Sequence, residues 1–269
     1  SHVDSDTLLY PCLKVLPMGF SWALHWTQIA HRHLLKECSL GDSSRELLDR
    51  HPAPTCTLTY PVKLIYVDNE LFIGPSQPCA EKARETAQTY LENRGLPMHE
   101  FQNGQIVEVI GLELDGIRQR AQLSTRRRWR LRYATQALIR HRLVSGRQLE
   151  VIVGHFTHAM LLNRPSLSCF RAVYTFVHRH YHTPTKLWPS VIRELQVALG
   201  LLPLMQVWWK QPWLNVVHCS DATLNGYAVH ESTWEIDKVK EIGKWSDKWR
   251  FMWGSGDHPR ELALGTRSI

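Results

Sequence analysis

The sequence predicts an α+β fold, on three observations. The first part of the chain reads as a helix, a β-hairpin, a second helix and a strand. A long central stretch carries only helical signals, and short strands return near the end on either side of Ser220-Asp221. At 269 residues and 43% hydrophobic, the chain is long enough for one large domain or two modest ones with real cores. The expected divisions are residues 1–116, 117–202 and 203–269.

In chain order, residues 20–38 place apolar side chains at Trp22, Trp26, Ile29, Ala30 and Leu34, a helical period, with Ser21 positioned to start the helix. Residues 62–73 read as strand, tight Asp68-Asn69 turn and strand, closed by Gly74-Pro75, which puts a carboxylate at a hairpin tip. A second amphipathic helix is expected over 78–93, stopped by Gly95 and Pro97. Residues 106–114 alternate as one strand ending at Asp115-Gly116. Helices are expected over 126–142, 146–162, 165–182 and 189–199, separated by Gly or Pro. Residues 203–212 read as a linker, and 213–219 and 226–230 as strands flanking Ser220-Asp221.

The chain holds 32 Lys and Arg against 25 Asp and Glu, a formal +7. The distribution is uneven. Between Gly116 and Leu149 stand Arg118, Arg120, Arg126, Arg127, Arg128, Arg130, Arg132, Arg140, Arg142 and Arg147, with no Asp or Glu. So one-signed a stretch reads as a phosphate-tracking face, because guanidinium forks match phosphate oxygens and released counterions drive binding. The 11 Trp suggest packing surfaces more than one binding cage. The six cysteines are scattered without a C-x-x-C pair, as expected in a reducing compartment. Short-spaced histidines such as His178, His180 and His182 lack a second pair at finger-like distance, so no zinc site is expected.

The longest apolar run, residues 198–209, is broken by Pro203 and Gln206 and is too short to span a bilayer, so no membrane partner is expected. The reading is a soluble intracellular protein of nucleus or cytoplasm. Ser1 in place of Met and a stop in mid-pattern at Ile269 suggest an excerpt or a decayed copy of something longer.

Four segments in order carry a family resemblance. Leu16-Pro17-Met18-Gly19-Phe20-Ser21 before a helix resembles motif B of reverse transcriptases, and Tyr66-Val67-Asp68-Asn69 between apolar strands resembles their Tyr-x-Asp-Asp hairpin, motif C. Arg94-Gly95-Leu96-Pro97 is similar to the end of motif D, and Val109-Ile110-Gly111-Leu112-Glu113 to the segment that grips the primer. Farther on, Val144 to Leu149 with Val153-Gly154-His155-Phe156 resembles the thumb of DIRS-type retrotransposons. Cys219-Ser220-Asp221-Ala222-Thr223 with Gly226-Tyr227 resembles the opening of a ribonuclease H domain, and residues 243–251 resemble retroelement copies of dinoflagellate algae.

The resemblance implies a partial polymerase palm, a helical thumb-like region and the first strands of a ribonuclease H-like domain. It implies an RNA-directed DNA polymerase using Mg2+ or Mn2+, with an RNA or DNA template-primer and a deoxynucleoside triphosphate as partners. Asp68 and Asp221 would be catalytic, with Asp68, Asn69 and Asp221 as metal ligands. Met18, Gly19, Phe20, Tyr66 and Gly111 would contact nucleotide, template or primer, and Arg126, Arg127, Arg128, Arg130 and Arg132 would bind nucleic acid. Arg94 and His99 are the candidates for a motif D general acid, and Glu261 for a second ribonuclease H carboxylate.

Nucleotidyl transfer needs clustered carboxylates to hold two divalent ions. Asn69 departs from the family pattern, placing an amide where a second acid is usual, and Asp4 and Asp6 stand too close to motif B to serve as motif A. Motif A and the fingers are therefore expected to be missing from this chain, and the fragment alone is expected to be inactive. The alternatives are a nucleic-acid-binding remnant, holding its ligand through the Arg-rich helix with interleaved Trp129 and Tyr133, and a degenerate copy without catalysis.

Overall fold

The computed structural model describes residues 15–245 apart from Met18, Arg142 and Leu224. The fold is α+β. In chain order the elements are α1 (Ala23–Glu37), β1 (Val62–Tyr66), β2 (Asn69–Ile73), α2 (Gln77–Glu92), β3 (Ile106–Val109), β4 (Leu112–Asp115), β5 (Arg120–Leu123), α3 (Thr125–Arg140), α4 (Gly146–Met160), α5 (Ala172–Arg179), α6 (Pro189–Leu201), β6 (Gln206–Trp208), β7 (Val216–Thr223), β8 (Gly226–Thr233) and α7 (Ile236–Gly243). They form two compact units: unit one comprises residues 1–101 and 213–269, and unit two residues 102–212.

In unit one, β1 and β2 pair antiparallel, and α1 and α2 pack on them. Ala83, Ala87 and Leu91 recur every four residues on α2, which gives it one apolar stripe. That stripe meets Leu35 of α1 and Ile65 of β1, with Leu34, Cys38, Leu40, Phe72 and Met98 around them. The buried charges of Lys63 and Glu46 are both compensated here. The Lys63 ammonium donates to the Leu40 carbonyl, and the Glu46 carboxylate accepts from Arg32 at 2.6 Å. Later in the same unit β7 and β8 form an exposed antiparallel hairpin.

Unit two is a four-stranded antiparallel sheet, ordered β3-β4-β5-β6, with helices α3 to α6. Its core joins Leu123 of the sheet to Leu131 and Leu138 of α3, Leu149, Phe156 and Met160 of α4, Val173 and Phe176 of α5, and Val191 and Leu195 of α6. Ser145 and Gln148 form a reciprocal capping box at the start of α4. Gly146 beside them is obligatory: a Cβ there would stand 2.5 Å from the Val177 carbonyl oxygen and 2.8 Å from the Tyr181 Cα.

The elements expected from sequence hold in kind and shift in detail. Ser21 does not cap α1, whose cap is Trp22. Tyr66 pairs with Asn69, so the hairpin turn is Val67-Asp68 and not Asp68-Asn69. The single strand expected over 106–114 is two strands, because Ile110 and Gly111 adopt φ of 50° and 75° and reverse the chain. The helix expected over 165–182 is a 3-10 turn, Arg164–Cys169, followed by α5, whose first amides, Ala172 N and Val173 N, donate to the Glu194 carboxylate. The expected linker contains β6, which pairs with β5. Asp221 lies inside β7 opposite Ala228, and not between two strands.

Candidate functional site

Asp68 is exposed at the hairpin tip, and the tip is built from two elements. Val67, immediately before it, has φ of 57°. A β-branched residue is disfavoured there by roughly 1–2 kcal/mol, because its Cβ crowds the following carbonyl. Two side chains of α1 hold it in place. Gln28 accepts from the Val67 amide at 2.6 Å and donates to the Ile65 carbonyl at 3.0 Å. His31, one helical turn on, places Nδ1 3.0 Å from the Val67 carbonyl and Nε2 3.4 Å from the Glu70 carboxylate. Both polar backbone groups of the strained residue are therefore tied to the helix.

Both His31 nitrogens face acceptors, a demand that only the imidazolium meets. Burial opposes its charge, but the hydrogen bonds to Glu70 and Val67 and the charges of Glu70 and Asp68 outweigh burial and raise its pKa. Sequence reading missed Gln28, His31 and Glu70. No local signal pointed to them: the apolar positions read on this helix, Trp22, Trp26 and Ile29, are exposed, and α1 buries Ala23, His31 and Leu35 instead.

Among the other expected site residues in unit one, Tyr66 ends β1 and is exposed, opposite Asn69. Gly19 and Phe20 are exposed and lead directly into α1, with the Phe20 amide closing a turn onto the Pro17 carbonyl. They stand about two helical turns before Gln28 along the chain. Met18, Glu261, Asp4 and Asp6 lie outside the described residues. Arg94 donates to the Tyr90 hydroxyl and pairs with Glu37 at 3.2 Å, so its charge is already engaged.

Asn69 Nδ2 donates to the Asp68 carboxylate at 3.2 Å. Among the described residues no three His, Cys, Asp or Glu side chains come together as a metal-ligand set. The Asn69 amide turns its nitrogen, and not its oxygen, to the Asp68 carboxylate. Asp221 is exposed, and its own carboxylate accepts from the Ala222 amide at 2.9 Å.

In unit two, Gly111 forms the β3–β4 turn, and the space a Cβ would occupy is filled by the Arg127 guanidinium. Arg127 also lies 3.7 Å from Glu108, and His158 Nε2 lies 3.1 Å from the Ile110 carbonyl, so the turn is braced by α3 and α4. Arg126, Arg127, Arg130 and Arg132 are exposed on α3, and Arg128 is half-buried. Unit two holds sixteen Lys and Arg against five Asp and Glu, a formal +11, while the rest of the chain holds sixteen against twenty, a formal −4. The positive charge of the chain is thus concentrated in one unit.

Comparison with known protein families, with curated proteins and with solved structures found no match to this chain. No helix among the described residues is long and apolar enough to cross a membrane.

Proposed function

We propose that this chain is part of an RNA-directed DNA polymerase of the reverse transcriptase kind, followed by the start of a ribonuclease H domain, and that it lacks a complete catalytic set by itself. The observation that carries the proposal is the Asp68 tip: an exposed carboxylate on a two-residue turn, fastened by Gln28 and His31 to the helix that the Leu16–Ser21 segment leads into. Carboxylates held rigidly at an exposed tip suit an ion shared with a nucleotide, since the ligand geometry is set before binding.

In this reading Asp68 would hold Mg2+ or Mn2+, with the Asn69 amide turned to offer its oxygen, and the ion would neutralise the triphosphate charge. Tyr66 supports the primer end, and Gly19 and Phe20 lie on the nucleotide and template side. Asp221 is the corresponding first acid of the ribonuclease H segment. The reading would place the protein in the nucleus or cytoplasm. The test is titration of the chain with Mn2+ and a deoxynucleoside triphosphate, followed by NMR. Paramagnetic broadening should centre on the amides of Tyr66 to Glu70 and vanish in Asp68→Asn. Broadening that centres elsewhere, or that persists in the variant, ends this assignment.

A second reading, a module that holds nucleic acid without chemistry, is favoured by a separate observation, the formal +11 of unit two.

A further inference from the structure

Helix α3 buries Leu131, Thr135 and Leu138. At 100° per residue, the opposite side of the helix carries Arg126, Trp129, Tyr133 and Arg140, with Arg130 and Arg132 on its two flanks. This ridge is about 21 Å long at 1.5 Å per residue. Trp129 is 47% exposed and Tyr133 62%, so neither ring serves the core. Their rings stack with centroids 5.6 Å apart and planes 25° from parallel, and the Arg132 guanidinium lies 5.8 Å from the Trp129 ring. Arg118, Arg120 and Arg127 are paired with Asp115 or Glu108. Among the described residues, Arg126, Arg130, Arg132 and Arg140 have no carboxylate partner.

We infer that this ridge is a stacking platform for single-stranded nucleic acid, with unpaired bases on Trp129 and Tyr133 and phosphates along Arg126, Arg130, Arg132 and Arg140. It rests on the reading that unit two holds nucleic acid and is independent of the chemistry assigned to Asp68. Unpaired guanidinium groups call for a polyanion, and two large exposed aromatic faces between them call for one with accessible π-surfaces. A duplex hides its base faces inside the stack, so the two rings would meet only sugar and phosphate and gain little. A single strand offers both groups at once. Sequence-tolerant binding follows, because every base has a π-face.

The experiment uses the full chain and fluorescence anisotropy with a short labelled single strand of mixed sequence, the same sequence as a duplex, and inorganic polyphosphate as a base-free polyanion. Single strand should bind more tightly than duplex. Trp129→Ala with Tyr133→Ala should weaken single-strand binding by about thirtyfold or more, since each of two stacked bases contributes on the order of 1–3 kcal/mol, and should leave polyphosphate binding unchanged. Trp129→Phe with Tyr133→Phe should retain most of it. Arg126→Gln, Arg130→Gln and Arg132→Gln together should reduce the slope of log affinity against log salt by about two. Circular dichroism equal to that of the parent chain checks the fold of each variant.

Duplex bound as tightly as single strand overturns the platform. So does an aromatic double variant that binds single strand like the parent, or that loses polyphosphate equally. Absence of any nucleic-acid binding by the parent chain is a separate result, which removes the reading of unit two together with the inference.

Discussion

Replacing Gln28 by Ala should loosen the hairpin tip without touching its sequence. In the parent chain the Gln28 amide satisfies the Val67 N–H at 2.6 Å and the Ile65 carbonyl at 3.0 Å. Removing it leaves a half-buried donor without its partner, at a cost of about 1–3 kcal/mol. It also removes one of two restraints that keep Val67 at φ 57°, a conformation that costs roughly 1–2 kcal/mol and is released once the turn is free. We expect the hairpin to be destabilised by about 2 kcal/mol, close to thirtyfold in local opening. Native-state amide exchange read by NMR measures this directly at Val67 and Asn69. Val67→Gly, which accepts left-handed φ freely, should recover about 0.5–1 kcal/mol in the Gln28→Ala background after the entropy of the added glycine is deducted. If Gln28→Ala leaves the Val67 amide exchanging within about threefold of the parent, a shift below roughly 0.7 kcal/mol, the clamp is not what holds the tip.

On the proposed polymerase reading, the chain complemented with a reverse transcriptase segment that supplies the missing acidic strand should show Mg2+-dependent primer extension that Asp68→Ala abolishes and Asn69→Asp increases; no gain from the added carboxylate would mean that the amide is tolerated there. Gly146→Ala forces a methyl group against the Val177 carbonyl and the Tyr181 backbone, and overpacking of this kind costs about 1–3 kcal/mol. The melting temperature of unit two should therefore fall, and an unchanged melting curve would contradict the close packing of α4 on α5. The Asp115 carboxyl is lowered by the Arg118 backbone hydrogen bond and by the charges of Arg118 and Arg120, against a burial effect that raises it. A depressed carboxyl stabilises the fold above its unfolded pKa, about 3.9, and this stability is lost as pH falls through the folded value. Stability of the parent chain should decline on acidification below about pH 4, and Asp115→Asn should show a shallower dependence. An identical pH slope for both proteins would assign the acid sensitivity to other groups.

What the sequence determined by itself was whatever depends on neighbours along the chain. The spans of α1, α2, α3, α4 and α6 are local, as are the β1–β2 hairpin and the carboxylate near its tip, and each forms close to its expected place, although α1 buries Ala23, His31 and Leu35 and not the expected face of Trp22, Trp26 and Ile29. The concentration of arginine was equally legible, being a matter of composition. Tertiary structure decided what depends on distant partners. β6 exists because it meets β5 across a long stretch of chain, Gln206 opposite Gln122, and its three residues have no pattern strong enough to announce a strand alone. The turn at Val67-Asp68 required a residue that local sterics disfavour, so local rules moved it one position on. It stays where it is because Gln28 and His31 arrive from another element and satisfy its backbone. Their hydrogen bonds offset the local preference, and no rule confined to the hairpin could have foreseen them.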